Sequence, residues 1–143
     1  MTTSVASASW EGGLKHGKGS FQAGSGAFQG PFSFATRFEG AKGTNPEELI
    51  AAAHAACFSM ALSAGLEQAG SPPTRISTNA SCTIEMVSGA PRITTITLEV
   101  RGKVPGIDQA AFAQAAETAK TGCPVSNLFK GNATIRMEAR LES

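Results

Sequence analysis

One long apolar segment in the middle of the chain constrains the fold more than any other feature. It starts at TNPEE (44–48), where Asn45 can cap a helix, Pro46 suits the first helical position, and two glutamates favour the positive end of the helix dipole. The helix can continue to about Ala69, where Gly70 and the prolines after it stop it. Because hardly any residue between these limits is polar, we predict a long helix that is enclosed on most sides.

The segments around this helix have the patterns of strands and of shorter helices. Before it, the Gly-rich stretch indicates a strand meander and no helix. After it, we predict two strands paired as a hairpin, two helices that begin at Asp108 and Cys123, and a last strand. The predicted strands cover 7–10, 20–23, 32–38, 76–86, 93–104 and 132–142, and the predicted shorter helices cover 108–121 and 123–130. This order indicates the α+β class in a single domain over 1–143.

Charge and composition exclude several classes of function. The formal net charge is +1 without any Lys/Arg run, so we expect no nucleic-acid partner and no anionic membrane surface. The amino terminus lacks the pattern of a signal peptide, and His54, Ser59 and Ser63 interrupt the apolar segment, which disfavours secretion and membrane insertion. Charged residues make up only 16% of the chain, and such a sparsely charged surface can contain an oligomer interface. We therefore expect a cytoplasmic protein.

The three cysteines, Cys57, Cys82 and Cys123, are the candidates for chemistry. Their number is odd and no Cys-x-x-Cys spacing occurs, so we predict neither a secreted disulfide framework nor a metal site, and no cofactor. In a reducing compartment they begin as thiols. Cys82 alternates with polar residues on a predicted strand, so we interpret it as a small buried hydrophobe.

Cys123 and Cys57 have opposite predicted environments. Cys123 occupies the N-cap position of a short helix, where free N–H groups and the dipole can lower the pKa of a thiol. Cys57 lies about three turns into the apolar helix, where burial raises it. To become a nucleophile Cys57 needs a nearby cation, and the candidates are Arg37, Lys42 and His54. Arg37 is the best of them, because a guanidinium stays charged when buried and holds an anion with paired donors.

Four ordered segments resemble a known family. They are TRFEG (36–40), GTNPEEL (43–49), AAHAACFSMAL (52–62) and GCPVS (122–126). Together they resemble the osmotically inducible protein C (OsmC) and organic hydroperoxide resistance (Ohr) family, and TRFEG points to the OsmC branch. The resemblance implies an OsmC-like fold, with antiparallel sheets around a long buried central helix, in an intertwined homodimer.

The resemblance also implies an activity. The chain would be a thiol-dependent peroxidase that reduces organic hydroperoxides, and hydrogen peroxide less well. Cys57 would be the peroxidatic cysteine, Cys123 the resolving cysteine that closes a disulfide with it, Arg37 the group that activates the Cys57 thiolate, and Glu47 the group that orients Arg37. A lipoyl-type dithiol would be the reductant. The apolar residues next to Cys57 in the sequence agree with a substrate that carries a hydrocarbon tail.

One geometric point is independent of the family. Glu47 and Cys57 are ten residues apart, which on a straight helix is roughly 15 Å along the axis. One arginine cannot easily bridge that distance. If Arg37 and Glu47 serve Cys57, we therefore expect them to come from the partner subunit of a dimer.

Two other functions are compatible with the residues. In the first, the cysteines only pack, and an apolar cavity at a dimer interface binds a small lipophilic ligand. In the second, Cys57 and His54 form the nucleophile and base of a hydrolase. No third member or oxyanion loop is visible for a hydrolase, so His54 is better interpreted as a core or interface histidine. Similarly, Glu47 and Glu48 can simply complement the helix dipole, and Arg37 can be a strand residue in a surface ion pair.

Overall fold

The computed structural model of the chain describes residues 1–142, which divide into two compact units, Met1–Leu49 and the residues from Ile50 onward. Helices and strands are both present, as the predicted α+β class requires. The strands are β1 Ala6–Glu11, β2 Lys18–Ala23, β3 Gln29–Phe32, β4 Arg75–Val87, β5 Ala90–Lys103 and β6 Thr134–Leu141. The helices are α1 Phe34–Phe38, α2 Pro46–Gln68, α3 Gln109–Gly122 and α4 Pro124–Phe129. The prediction of a single domain stays a prediction.

The first unit contains an antiparallel sheet in the order β1-β2-β3 and the short helix α1. The prediction of a strand over 32–38 is wrong for most of that range, because α1 starts right after β3. A capping box causes this switch: the Ser33 hydroxyl accepts from the Thr36 N–H, and the Thr36 hydroxyl accepts from the Ser33 N–H. Arg37 therefore lies in the last turn of a helix and not on a strand.

Asn45 connects α1 to the start of α2 within this unit. Its side-chain amide donates to the Thr36 carbonyl at 2.9 Å, and its side-chain oxygen accepts from the Glu48 N–H at 2.8 Å. The second bond is the N-cap that the sequence predicts, and Pro46 is the first helical residue. As a result, Glu47 in the first turn of α2 is placed close to α1.

The second unit contains the sheet β4-β5-β6. The predicted hairpin is confirmed, since β4 and β5 pair antiparallel along their length. The prediction of antiparallel sheets is wrong for β6, which pairs parallel to β5. The reason lies in the connection: after β5 the chain crosses through α3 and α4, so β6 enters the sheet in the same direction as β5.

The core of the second unit lies between the sheet, α2 and α3. One stripe of α2 is buried at intervals of four residues: His54, Phe58, Leu62 and Leu66. The three apolar members of this stripe pack in one cluster with Ile96, Leu98 and Val100 of β5 and with Phe112, Ala116 and Ala119 of α3. Asp108 caps α3 through the Ala111 N–H, as predicted.

The other face of α2 is not buried by this chain. The exposed residues there include Ala52, Ala53, Ala56, Met60 and Ala64. The prediction that α2 is enclosed on most sides is therefore wrong for one chain alone, because the chain supplies packing partners to only one stripe of the helix. By length and composition α2 could also cross a membrane, a property that core helices of soluble proteins share. It is the one helix of that kind within residues 1–142.

Candidate active site

Two cysteine side chains meet in the second unit. The Sγ atoms of Cys57 and Cys123 are 3.2 Å apart, close enough for one thiol to donate a hydrogen bond to the other. Cys57 lies on α2 beside the buried stripe, and Cys123 lies at the junction that ends α3 and begins α4. Both are free thiols, Cys123 fully buried and Cys57 partly exposed. Residues 66 positions apart in the sequence are thus brought into contact.

The two thiols have opposite tendencies to ionise. Burial raises the pKa of Cys57, and the neighbouring Cys123 raises it further, although the Val125 N–H acts in the other direction. Burial also opposes ionisation of Cys123, but there it is outweighed: the N–H of Ser126, the Cys57 thiol and the Ser126 hydroxyl lower the pKa of Cys123 overall. Both directions agree with the sequence prediction. No cationic side chain is among the groups that shift the pKa of Cys57.

The first residues of α4 stabilise the ionised form of the Cys123 thiol. It is the N-cap residue of that helix but makes no cap hydrogen bond of standard geometry. The N–H groups of Val125 and Ser126 therefore act on it as nearby positive dipole ends. This explains why a fully buried thiol can still have a lowered pKa.

A buried polar pair adjoins the cysteines. Nε2 of His54 lies 2.7 Å from the Ser126 hydroxyl, and both residues are buried. Nδ1 of His54 is buried without a hydrogen-bond partner among residues 1–142. The prediction of a core histidine agrees with this position. No role was predicted for Ser126, although its place three residues after an N-cap, where side chains face the capping residue, is a signal that could have found it.

Arg37 and Glu47 form an ion pair in the first unit. Nε and Nη2 of Arg37 donate to the same oxygen of Glu47, at 3.0 and 2.9 Å. The Glu47 side chain is 6% exposed, and its other carboxylate oxygen has no partner among the described residues. The Arg37 side chain is 37% exposed, and its guanidinium lies over the Phe38 ring. Glu47 thus holds Arg37 in one orientation and leaves the rest of its guanidinium accessible.

The predicted site residues therefore occur as two pairs, Cys57–Cys123 in the second unit and Arg37–Glu47 in the first. Cys82 lies half-buried on β4 and packs against the core, as a small hydrophobe would. No group of three or more His, Cys, Asp or Glu side chains suited to a metal ion occurs within residues 1–142.

The combination of this α+β fold with two free thiols in contact is typical of cysteine-based redox proteins, and comparison with known proteins identifies the family. Residues 39–138 match the family described as OsmC-like protein. The chain is 52% identical over 129 residues to peroxiredoxin OsmC of Escherichia coli (strain K12), and the aligned region covers 90% of each chain. It is 36% identical over 99 residues, 68% of each chain, to an organic hydroperoxide resistance protein of Xanthomonas axonopodis pv. citri (strain 306).

This chain belongs to the OsmC-like family, and its similarity to the Escherichia coli protein supports the OsmC branch that the TRFEG segment indicated. Solved structures agree on the fold. The organic hydroperoxide resistance protein OhrB of Bacillus subtilis is 25% identical with a TM-score of 0.70, covering 95% of this chain and 98% of its own. The Legionella pneumophila organic hydroperoxide resistance protein OsmC is 20% identical with a TM-score of 0.76, covering 97% of each chain.

His54 gives the stability of the protein a pH dependence with a definite sign. Burial lowers the pKa of His54 in the folded chain below its ordinary value of 6.5. Between the two pKa values the unfolded chain binds more protons than the folded chain, so stability rises with pH in that range. The contribution of His54 to stability is fully present above about pH 6.5. We expect the free energy of unfolding to fall below that pH by up to about 1.4 kcal/mol per pH unit, in denaturant titrations at a series of pH values.

The second histidine provides a matched control for this prediction, because His16 is exposed. His54→Gln removes the buried imidazole and is expected to flatten the pH dependence, whereas His16→Gln is expected to retain it. The same slope in both variants and the parent would show that His54 does not titrate as its burial requires.

Proposed function

We propose that this chain is a cysteine-based hydroperoxide reductase in which Cys57 attacks the peroxide and Cys123 closes a disulfide with it. The observation that carries the proposal is the 3.2 Å separation of the two sulfurs. The names of the relatives support it, since one is a peroxiredoxin and another an organic hydroperoxide resistance protein. Neither a packing-only pair nor a hydrolase needs two thiols in contact.

The proposed cycle balances in three steps. The Cys57 thiolate attacks one peroxide oxygen, the O–O bond breaks, and the alkoxide leaves and takes a proton, so that Cys57 becomes a sulfenic acid. The Cys123 thiolate then attacks the Cys57 sulfur, the S–O bond breaks, and hydroxide leaves as water after taking a proton. A dithiol reduces the resulting disulfide by exchange and is itself oxidised to a disulfide.

Cys57 needs activation in this cycle, because burial raises its thiol pKa. Arg37 is the proposed activator, and Glu47 the residue that orients it through the ion pair between them. Glu47 and Cys57 lie on the same helix about three turns apart, roughly 15 Å along its axis. We therefore propose that Arg37 and Glu47 act on Cys57 of the partner subunit, so that dimerisation is a condition for activity.

A homodimer is also supported by the uncovered face of α2. Ala52, Ala53, Ala56 and Met60 form an apolar stripe that this chain leaves exposed. Met60 retains 76% of its possible exposure, which is unfavourable for a large apolar side chain unless another subunit covers it. A second copy of the chain that packs there would complete the enclosure that the composition of α2 predicts.

The family and the site support a proposed substrate and a proposed reductant. Organic hydroperoxides are the proposed substrates, since they suit the apolar residues around Cys57 better than hydrogen peroxide does. A lipoyl-type dithiol is the proposed reductant, because its two linked thiols can open a disulfide and release it without a second donor. A cytoplasmic location, where such dithiols stay reduced, is part of the same proposal.

The test of this proposal is direct oxidation of the parent protein. Treatment with an equimolar organic hydroperoxide is expected to remove two thiols and lower the protein mass by about two hydrogens, with Cys82 left reduced. Thiol titration and intact mass spectrometry measure both changes. Survival of all thiols would favour the ligand-binding alternative, and a stable acyl group on Cys57 after ester treatment would favour the hydrolase.

A further inference from the structure

A buried hydrogen bond joins α2 to α4, the helix that begins after Cys123. His54 lies one helical turn before Cys57 on the buried stripe of α2, and its Nε2 lies 2.7 Å from the Ser126 hydroxyl on α4. The imidazole packs on the Phe129 ring, with centroids 5.9 Å apart. Ser126 is 2% exposed, so its hydroxyl must satisfy its hydrogen bonds inside the protein. Burial of two polar side chains in an apolar core costs desolvation free energy, which suggests that the pair has a functional role.

The hydrogen bonds of this pair have a preferred direction. Nδ1 of His54 is buried and without a partner among residues 1–142, so a proton on it would be a buried N–H with no acceptor. The tautomer with the proton on Nε2 avoids that cost. In this tautomer His54 donates to the Ser126 oxygen, and the Ser126 hydroxyl proton is available to a second acceptor. We assign the Cys123 sulfur as that acceptor, because Cys123 caps the helix that carries Ser126 and the Ser126 hydroxyl is one of the groups that lower the pKa of Cys123.

We propose that His54 and Ser126 form a hydrogen-bond relay that positions Cys123 and holds its sulfur as a thiolate ready to attack the oxidised Cys57. The inference rests on the proposed function of Cys123 as the resolving cysteine. It makes His54 and Ser126 positioning residues, because they act through Cys123 and touch no substrate.

The electrostatics of Cys123 support the relay. Although burial opposes its ionisation, the Ser126 N–H, the Cys57 thiol and the Ser126 hydroxyl lower the pKa of Cys123 overall. Burial also lowers the pKa of His54, so the imidazole stays neutral at physiological pH and acts as a fixed dipole. Cys57 is the titratable group in contact with this sulfur. Lys120 and Lys130 are the charged side chains that line a cavity together with Ser126.

The relay has a defined place in the chemistry. When Cys57 is a sulfenic acid, an electron pair of the Cys123 thiolate forms the S–S bond and the S–O bond breaks. The leaving hydroxide takes up from the solvent the proton that Cys123 released on ionising, and departs as water. The Ser126 hydroxyl only orients and stabilises the attacking sulfur and gives up no proton. Fast closure would protect Cys57 from a second peroxide, which would oxidise it irreversibly.

The test separates closure of the disulfide from oxidation of Cys57. Single-turnover kinetics with an organic hydroperoxide measure both steps in the parent, Ser126→Ala, His54→Phe and His54→Gln. Ser126→Ala removes the hydrogen bond to the anion and His54→Phe removes the bond that orients the Ser126 hydroxyl, so each is expected to slow closure by up to roughly tenfold near neutral pH. Gln can place an N–H where Nε2 stands, so His54→Gln is expected to recover part of the rate. Ser59→Ala is the matched control, because its hydroxyl bonds to Thr78 instead.

The pH profile distinguishes this role from simple packing. The closure rate rises with pH as Cys123 ionises, and in Ser126→Ala this rise is expected to occur at higher pH. At pH values above the shifted rise, where Cys123 is fully ionised, the variant should reach or exceed the parental rate. A parental closure profile in Ser126→Ala, or equal slowing of closure and of Cys57 oxidation, would overturn the relay.

Alkylation rates against pH in the Cys57→Ser background report the pKa of Cys123 without any peroxide chemistry. There, adding Ser126→Ala is expected to raise that pKa, and an unchanged value would overturn the relay. This measurement holds even if the parent fails to react with peroxide, so failure of the relay and failure of the peroxidase proposal give different results.

Discussion

Cys57→Ser is expected to abolish hydroperoxide reduction, with a loss of at least about a thousandfold in turnover. A serine hydroxyl has no accessible anion at neutral pH and cannot form a sulfenic acid, so the first step of the cycle is lost. The measurement is consumption of an organic hydroperoxide with dihydrolipoamide as reductant. Because the sulfurs lie 3.2 Å apart, Cys123→Ser is expected to behave differently and to stop after one turnover with a sulfenic acid on Cys57.

The third cysteine provides the control for this pair. Cys82→Ser makes the same replacement of sulfur by oxygen on strand β4, and it is expected to keep turnover near the parental value. A sulfenic-acid probe should label Cys123→Ser after peroxide treatment and should not label Cys57→Ser. Activity that persists in Cys57→Ser, or that disappears in Cys82→Ser, would contradict the assigned roles.

Arg37→Met is the second large change, and it is expected to slow the reaction of Cys57 with peroxide by roughly ten- to a thousandfold at neutral pH. Without the guanidinium that we propose acts on Cys57, only the Val125 N–H opposes the burial that raises the pKa of this thiol. Stopped-flow oxidation of Cys57 as a function of pH measures the effect as a shift of the profile to higher pH. Glu47→Gln is expected to act in the same direction more weakly, because Arg37 stays charged but loses its anchor.

Arg75 offers a matched control, since it also pairs with a glutamate, Glu142, but at an exposed position. Arg75→Met is expected to leave the peroxide reaction unchanged.

A mixed dimer tests which chain supplies Arg37 to a given Cys57. A dimer of one Arg37→Met subunit and one Cys57→Ser subunit has one complete site if Arg37 acts across the interface, and none if it acts within its own chain. A crystal structure with Arg37 beside Cys57 of the same chain would remove the cross-subunit proposal.

The elements with strong local signals were predictable from the sequence. α2 starts at its predicted cap and proline, because Asn45 satisfies a free N–H and Pro46 has the required backbone angle. The β4–β5 hairpin follows from alternation and a turn. The helix α1 was missed, because its capping box of Ser33 and Thr36 lies in an aromatic, Gly-rich stretch with the composition of strands.

Local sequence decided the helices, the hairpin and the chemical types at the site: a thiol inside an apolar helix, a thiol at a helix start, and an arginine near an acidic helix terminus. Tertiary structure alone decided the rest. The parallel pairing of β6, the 3.2 Å approach of Cys57 to Cys123, and the bond from His54 to Ser126 all join residues far apart in the chain. Local propensity and capping act over a few residues, whereas such contacts depend on how burial of the apolar faces brings whole helices and strands together.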